Sequence, residues 1–292
     1  MKLLPVALSV AALLSSPLAM AKTVNAVASF SILGDIVQEV GGDHVKVTSL
    51  VGPDGDPHSF EPAPRDSKTL STSDLVFVSG LGMEGWMDRL ITASGYHGKV
   101  IVASQGVDSR QMKDDGKVVT DPHAWNSMAN GVIYATNVMN ALIAANPEDA
   151  DYYRRHGGAY IESLKKLDSW ARQEFSGIPM NKRKVLTSHD AFGYFGKEYS
   201  VTFLAPVGFS TESEASASGV ASLITQIKDE KVKTYFIENQ TDPRLVKQIA
   251  AATGAQPGGE LYPESLSGPQ GPATTYEKAF THNVESIVAS MK

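Results

Sequence analysis

The sequence predicts an α/β protein with two lobes, each with a parallel sheet, joined by one long rigid helix. Short apolar runs alternate with helical stretches on both sides of mid-chain, and this alternation is typical of parallel sheets with right-handed crossovers. Between the two halves, one helical pattern continues from Asn146 to about Phe175. This unbroken helix favours two lobes over the alternative, which is a single α/β domain of 292 residues.

The first residues have the pattern of a secretory signal peptide. Lys2 gives the signal its positively charged N-terminal region, and an apolar core runs from Leu3 to Leu14. Ala19-Met20-Ala21 forms a small-residue cleavage site. We therefore expect residues 1–21 to be a cleaved signal and the protein to be periplasmic. The chain contains no Cys, so we expect neither disulfides and thiolate metal ligands nor a lipid anchor on an N-terminal Cys.

Residues 22–145 are predicted to form the N-terminal lobe. The predicted strands are 24–29, 45–51, 75–78 and 99–103, and the predicted helices are 31–40, 65–72, 86–93 and 127–145. The third run is wholly apolar, which is the pattern of a strand buried in a parallel sheet. Residues 106–120 are mostly polar and are predicted to be a surface loop.

Residues 146–177 are predicted to be the linker helix. Asn146 suits the N-cap, and Pro147 suits the first helical position because that position needs no N–H donor. Gly157-Gly158 is the weak point of the pattern, because glycine disfavours a helix interior. The helix is predicted to end in the sequence Ser176-Gly177-Ile178-Pro179, which supplies a C-terminal glycine and then a helix-breaking proline.

Residues 178–292 are predicted to form the C-terminal lobe by the same alternation. The predicted strands are 184–187, 201–205, 232–237 and a short strand that ends at Leu261-Tyr262, and the predicted helices are 191–198, 220–228, 243–254 and 274–291. The third helix has clear end signals, since Asp242-Pro243 can cap its start and Gly254 can end it.

Four residues could bind a metal ion because each lies at or near the carboxyl end of a predicted strand. His58 and His123 each stand in an Asp-Pro-His sequence, His189 follows a strand directly, and Glu264 follows another. Open α/β sheets bind their ligands at these strand ends. Three imidazoles and one carboxylate suit Zn²⁺, Mn²⁺ or Fe²⁺.

Each of these residues also has an ordinary interpretation. A single His in a polar loop is usually solvated, and Asp-Pro commonly opens a turn; the repeated Asp-Pro-His favours a role for both copies. The adjoining Asp56, Asp121 and Asp190 could orient the imidazoles, but solvated turns are the default interpretation. The remaining histidines have no such setting and are predicted to be surface residues: His44, His97, His156 and His282.

The chain resembles the cluster A-I (cluster 9) solute-binding proteins of zinc, manganese and iron ABC importers over essentially its whole mature length. The motifs that carry the resemblance are His58-Ser59-Phe60-Glu61-Pro62 with Arg65-Asp66, Asp121-Pro122-His123-Ala124-Trp125, Ser188-His189-Asp190-Ala191-Phe192-Gly193-Tyr194-Phe195 and Glu238-Asn239-Gln240. The resemblance implies two lobes bridged by a rigid helix, with a metal bound in the cleft between them. It also places the fourth ligand at Glu264, where the family usually has Asp.

The resemblance implies a carrier that captures a divalent transition metal and delivers it to a membrane permease. His189 matches zinc-type members, whereas manganese and iron members usually have Glu there. Residues 106–120 contain no His, although zinc-specific members often carry a His-rich loop at this place. We therefore favour zinc and keep manganese and iron open.

Two other classes of protein remain as alternatives. A zinc hydrolase could use the same His cluster if Glu264 were a general base rather than a ligand. A surface adhesin is disfavoured because no lipid anchor is expected. The formal net charge of −6 argues against nucleic acid as a partner, and we expect a monomer without enzymatic activity.

Overall fold

The computed structural model describes residues 23–114 and 117–292. The predicted signal peptide, residues 1–21, lies outside the described residues. Within them, no helix combines the length and the apolar character needed to cross a membrane.

The N-terminal lobe contains a four-stranded parallel sheet with the strand order β2-β1-β3-β4. Its strands are β1 (Val24–Phe30), β2 (Val45–Val51), β3 (Leu75–Val78) and β4 (Lys99–Val102). Its helices are α1 (Ser31–Gly41), α2 (Pro64–Ser71), α3 (Met87–Ser94) and α4 (Met128–Ala145). The predicted strands and helices of this lobe are therefore confirmed, with small differences at their ends.

A β-hairpin replaces the surface loop predicted for residues 106–120. Strands β5 (Gln111–Asp114) and β6 (Lys117–Thr120) pair in antiparallel register. Met112 is buried while its neighbours Gln111 and Lys113 are exposed, so the strand has the alternation of a half-buried strand. The prediction was wrong because polar residues on the solvent side of so short a strand resemble a loop.

The long helix α5 spans Ala150–Ser176, and a 3₁₀ turn over Pro147–Asp149 precedes it. Asn146 stands at the N-cap of this turn, but the predicted capping bond is wrong, because its side chain donates a hydrogen bond to the carboxylate of Asp149 instead of accepting one from a backbone N–H. At about 1.5 Å per residue, the 27 residues of α5 extend for about 40 Å.

The glycine pair of α5 marks a close helix contact rather than a break. A Cβ at Gly157 would lie 3.0 Å from Val40 of α1 and 3.1 Å from Met139 of α4. A larger side chain would therefore push α5 away from both helices. Gly158, by contrast, faces open space.

The C-terminal lobe repeats the architecture of the first. Its parallel sheet has the order β10-β9-β7-β8. Read from β8 to β10, with β7 counted as the first strand of the lobe, this is the order 2-1-3-4 of the first lobe. Its strands are β7 (Lys184–Leu186), β8 (Thr202–Leu204), β9 (Thr234–Glu238) and β10 (Gln256–Leu261), and its helices are α6 (Gly193–Tyr199), α7 (Ala217–Asp229), α8 (Arg244–Thr253) and α9 (Tyr276–Met291).

The hydrophobic core is continuous between the lobes. Helix α5 packs against α1 and α4 on one side and against α6 and α9 on the other. A single buried cluster includes Phe30 and Trp125 from the first lobe and Phe195 and Phe280 from the second. Because burial of apolar side chains is the main force that holds elements together, the two lobes are fixed in relation to each other by this shared core.

Candidate metal centre

His58 lies in the loop that follows β2. The carboxylate of Asp56 accepts hydrogen bonds from the His58 backbone N–H at 2.8 Å and from Ser59 Oγ at 2.9 Å, so it holds the turn and not the ring. Trp86 Nε1 donates to the carbonyl oxygen of Pro57 at 2.9 Å and fixes the same loop. The backbone thus aims the imidazole at the interlobe cleft.

His123 lies between the β5–β6 hairpin and α4, and its side chain is fully buried. Its Nδ1 lies 2.8 Å from Asp121 Oδ1, and Asp121 also forms an ion pair with Arg110. An N–H bond from Nδ1 to this carboxylate leaves Nε2 free to bind a metal. The interpretation of Asp121 as part of a solvated turn is therefore wrong, since Asp121 is also fully buried.

His189 follows β7, and Glu238 fixes its orientation. Glu238 ends the neighbouring strand β9, and its Oε2 lies 2.5 Å from His189 Nδ1. Its Oε1 accepts the backbone N–H groups of Ser188 and His189 at 3.0 and 3.2 Å. Glu238, and not the adjoining Asp190, therefore contacts the imidazole.

Glu264 lies in the loop after β10, and its side chain is fully buried. Trp125 Nε1 donates to the carbonyl oxygen of Pro263 at 2.7 Å, which ties this loop to the first lobe. The two carboxylate oxygens have different partners. Oε1 faces the three imidazoles, whereas Oε2 accepts a hydrogen bond from Gln240 Nε2 at 2.9 Å.

These four side chains, all predicted from the sequence, converge on one point. Glu264 Oε1 lies 2.7, 2.7 and 3.0 Å from the Nε2 atoms of His58, His123 and His189. The four candidate ligand atoms lie within 4.8 Å of one another. A tetrahedral site with metal–ligand distances of ~2.0–2.1 Å places its ligand atoms about 3.3 Å apart. The cluster therefore fits a transition metal ion with little rearrangement.

The charges of the cluster depend strongly on one another. Burial alone would lower the pKa of His123, but the hydrogen bonds with Asp121 and Glu264 raise it to about 9. Burial likewise opposes protonation of His189, but the charges of Glu238 and Glu264 raise its pKa well above the usual value. Burial would raise the pKa of Glu264, yet His58 and His189 hold it well below its usual range. Protons would therefore compete with a metal ion for this site.

The other histidines stay outside the cluster, as predicted. His97 and His156 are exposed, while His44 and His282 are partly buried. His44 lies against Asp149 at 2.8 Å and stacks on Tyr152, and His282 Nε2 lies 3.0 Å from the carbonyl oxygen of Glu260. Each has a local structural partner or faces solvent.

The sequence pattern points to Asp121 as a possible partner of a candidate ligand, but not to Glu238, Gln240 or Arg110. Glu238 and Gln240 follow a predicted strand, as the candidate ligands do, but the sequence motif that contains them indicates no role for either. Arg110 stands within the predicted loop. Glu238 and Gln240 meet the strand-end criterion, because they follow the predicted strand 232–237, but this criterion alone does not indicate which side chains they contact.

Comparison with known proteins identifies the relatives of the chain. Residues 26–290 match the family model described as ZnuA, zinc-uptake complex component A periplasmic. The manganese-binding lipoprotein MntA of Bacillus subtilis is 32% identical over 91% of this chain and 89% of its own length. The iron-binding protein YfeA of Yersinia pestis is 32% identical over 94% of this chain and 88% of its own length.

A solved structure extends the likeness to the fold. The periplasmic zinc binding protein TroA from Treponema pallidum aligns with a TM-score of 0.86 and 27% identity, over 92% of this chain and 99% of its own. These relatives give no support to the hydrolase alternative. The predicted resemblance is confirmed: the chain belongs to the ZnuA family of metal-binding substrate-binding proteins of ABC importers.

Proposed function

We propose that this protein binds one divalent transition metal through His58, His123, His189 and Glu264 and delivers it to the membrane permease of an ABC importer. The observation that carries the proposal is the convergence of three imidazole Nε2 atoms on one oxygen of a buried carboxylate. Two of these ligands come from each lobe, so the ion would lie between the lobes. Captured there, it is shielded from water until it is passed on.

Zinc is the metal that this ligand set favours. Three nitrogen ligands and one oxygen suit Zn²⁺, whereas Mn²⁺ prefers sites rich in oxygen. The family has members named for binding zinc, manganese and iron, so membership alone does not choose among them. We therefore assign zinc from the chemistry of the ligands.

The arrangement of Glu264 also supports a carrier over a hydrolase. A metal-dependent hydrolase needs a general base within reach of a metal-bound water. Glu264 has neither oxygen available for that role, because Oε1 faces the imidazoles and Oε2 is bonded to Gln240. The arrangement of Glu264 thus favours a site in which four protein side chains bind the metal and no position is left for a water.

Metal analysis of protein purified from the periplasm of its own cell tests this function. We expect about one zinc per chain and uptake of zinc that depends on the permease of the same importer. Stoichiometric manganese or iron would contradict the assignment of zinc. Protein that contains no transition metal and binds none on titration would contradict the function itself.

Metal binding is expected to change the overall shape very little. The shared core and the continuous helix α5 lack the loop hinges that large domain movements need. The lobes are also joined near the site, where Asp54 accepts hydrogen bonds from Asn239 Nδ2 at 2.9 Å and from the Gly268 N–H at 3.1 Å. Small-angle scattering curves of the apo and zinc-loaded protein should nearly coincide. A large compaction on loading would contradict a rigid connection.

Acidification is expected to release the metal. Imidazole must be neutral to bind an ion, and in the metal-free protein the pKa of His123 is raised to about 9 from an ordinary value of ~6.5. Protonation of His123 therefore stabilises the metal-free fold below about pH 6.5, and this stabilisation is lost as the pH rises towards 9. The increase in Tm given by saturating zinc should thus grow from pH 5 towards pH 8.

The matched control for this pH dependence is His97→Ala, which removes an exposed imidazole outside the cluster. It should show the same dependence of the zinc-induced Tm shift on pH as the wild type. A shift that is as large at pH 5 as at neutral pH would mean that histidines are not the ligands.

A further inference from the structure

We propose that Gln240 determines how Glu264 binds the metal: its amide retains one carboxylate oxygen and thereby favours zinc over manganese and iron. This inference rests on the proposed function, because it concerns the selectivity of the same site. Gln240 is a positioning residue, since its side chain contacts Glu264 and not the point where the four ligand atoms meet.

The contact is built by adjacent strands. Strands β9 and β10 pair in parallel, with Glu238 opposite Leu261, so the loops after them leave the same edge of the sheet. The Asn239 N–H donates to the carbonyl oxygen of Leu261 at 3.2 Å, which holds the first loop against the second. Gln240 is the next residue, and its side chain therefore lies beside Glu264.

The hydrogen bond separates the roles of the two oxygens of Glu264. Oε1 lies 2.7–3.0 Å from three imidazole nitrogens, and Oε2 lies 2.9 Å from Gln240 Nε2. The carboxylate is fully buried, so no solvent can replace the amide if Oε2 leaves it. Recruiting Oε2 to a metal would therefore sacrifice a charge-assisted hydrogen bond in a buried site.

The chemistry of the carboxylate decides which end of the amide faces it. The ionised carboxylate of Glu264 can only accept hydrogen bonds, so the N–H of Gln240 is the group that contacts it. A side chain that only filled space would not need this donor.

The consequence for metal choice follows from coordination number. Zinc is satisfied by four ligands, and one oxygen of Glu264 completes the set. Manganese and ferrous iron prefer more oxygen ligands and would gain from the second oxygen. By occupying that oxygen, Gln240 penalises these ions and leaves zinc unaffected.

The test compares the wild type with Gln240→Met, which keeps the length of the side chain and removes the donor. The ratio of zinc to manganese affinity, from competition titrations with the metals alone, should fall by about tenfold, the lower end of the effect of residues around metal ligands. X-ray absorption spectra of the manganese-loaded proteins should show one more oxygen ligand in the variant.

Two further variants make the result decisive. Thr241→Val alters the next residue in the same cavity without touching Glu264, and it should leave the ratio unchanged. Gln240→Leu also removes the donor, so it should lower the ratio as well, and it replaces Gln240→Met if circular dichroism shows that the latter is unfolded.

The possible results separate the inference from the function. If both Gln240 variants bind zinc and manganese more weakly by the same factor, and the X-ray absorption spectra are unchanged, Gln240 only supports the loop. That result would overturn the inference. Failure of the wild type to bind either metal at one ion per chain would instead overturn the proposed function.

Discussion

Replacing His123 by alanine is expected to reduce zinc affinity by more than about 100-fold, because loss of residues that merely orient a ligand already costs 10–100-fold. His123 is fully buried, and its Nε2 lies 2.7 Å from Glu264 Oε1. The variant would leave three ligands and a gap that water must fill. Zinc content after dialysis and a competition titration with a chelating dye measure the loss.

The matched control is His97→Ala, which removes an exposed imidazole away from the cluster and should retain one zinc per chain. The fold of the His123→Ala protein should persist, because Asp121 keeps its ion pair with Arg110, and circular dichroism can verify this. Equal metal content in the two variants would show that His123 is not a ligand.

Most of the fold could be predicted because each element carries its own local signal. The apolar run of β3 and the Pro-Glu-Asp start before α5 are visible without any tertiary information. The β5–β6 hairpin was missed because only Met112 of β5 is buried among the residues whose burial is described. Its pairing depends on packing against the lobe, which no short stretch of sequence records.

The clustering of the four candidate ligands could be predicted, whereas the contacts of Glu238 and Gln240 could not, for a related reason. The ends of parallel strands form one edge, so His189 and Glu264 were expected near a site from their positions alone. Which residue would contact each ligand depends on strand order. Only the placement of β9 between β7 and β10 brings Glu238 to His189 and Gln240 to Glu264.

This support explains how the nitrogen-rich site keeps its form. Asp121 and Glu238 each contact the Nδ1 atom of a ligand imidazole, at 2.8 and 2.5 Å. Both contacts orient the ring and direct its Nε2 towards the point where the four side chains converge. Under the proposed function, these partners would keep the Nε2 atoms in place for the metal that the ligands select.

The exchange His189→Glu is expected to lower the ratio of zinc to manganese affinity by about 10–100-fold, because it replaces a nitrogen ligand by carboxylate oxygens, which suit Mn²⁺. The affinity for zinc exceeds the affinity for manganese at almost any site of nitrogen and oxygen ligands. The ratio of the two affinities in the variant must therefore be compared with the ratio in the wild type. Competition titrations with both metals, on both proteins, give the two ratios.

The neighbourhood of His189 adds a condition to this experiment. Glu238 contacts the imidazole at 2.5 Å and is itself buried, so His189→Glu alone would place two carboxylates together and favour protonation of one of them. Combining it with Glu238→Gln supplies an amide N–H to the new carboxylate and should restore absolute affinity while the ratio stays low. If the ratio equals that of the wild type in both the single and the double variant, His189 does not set selectivity, and the assignment of zinc from ligand type is wrong.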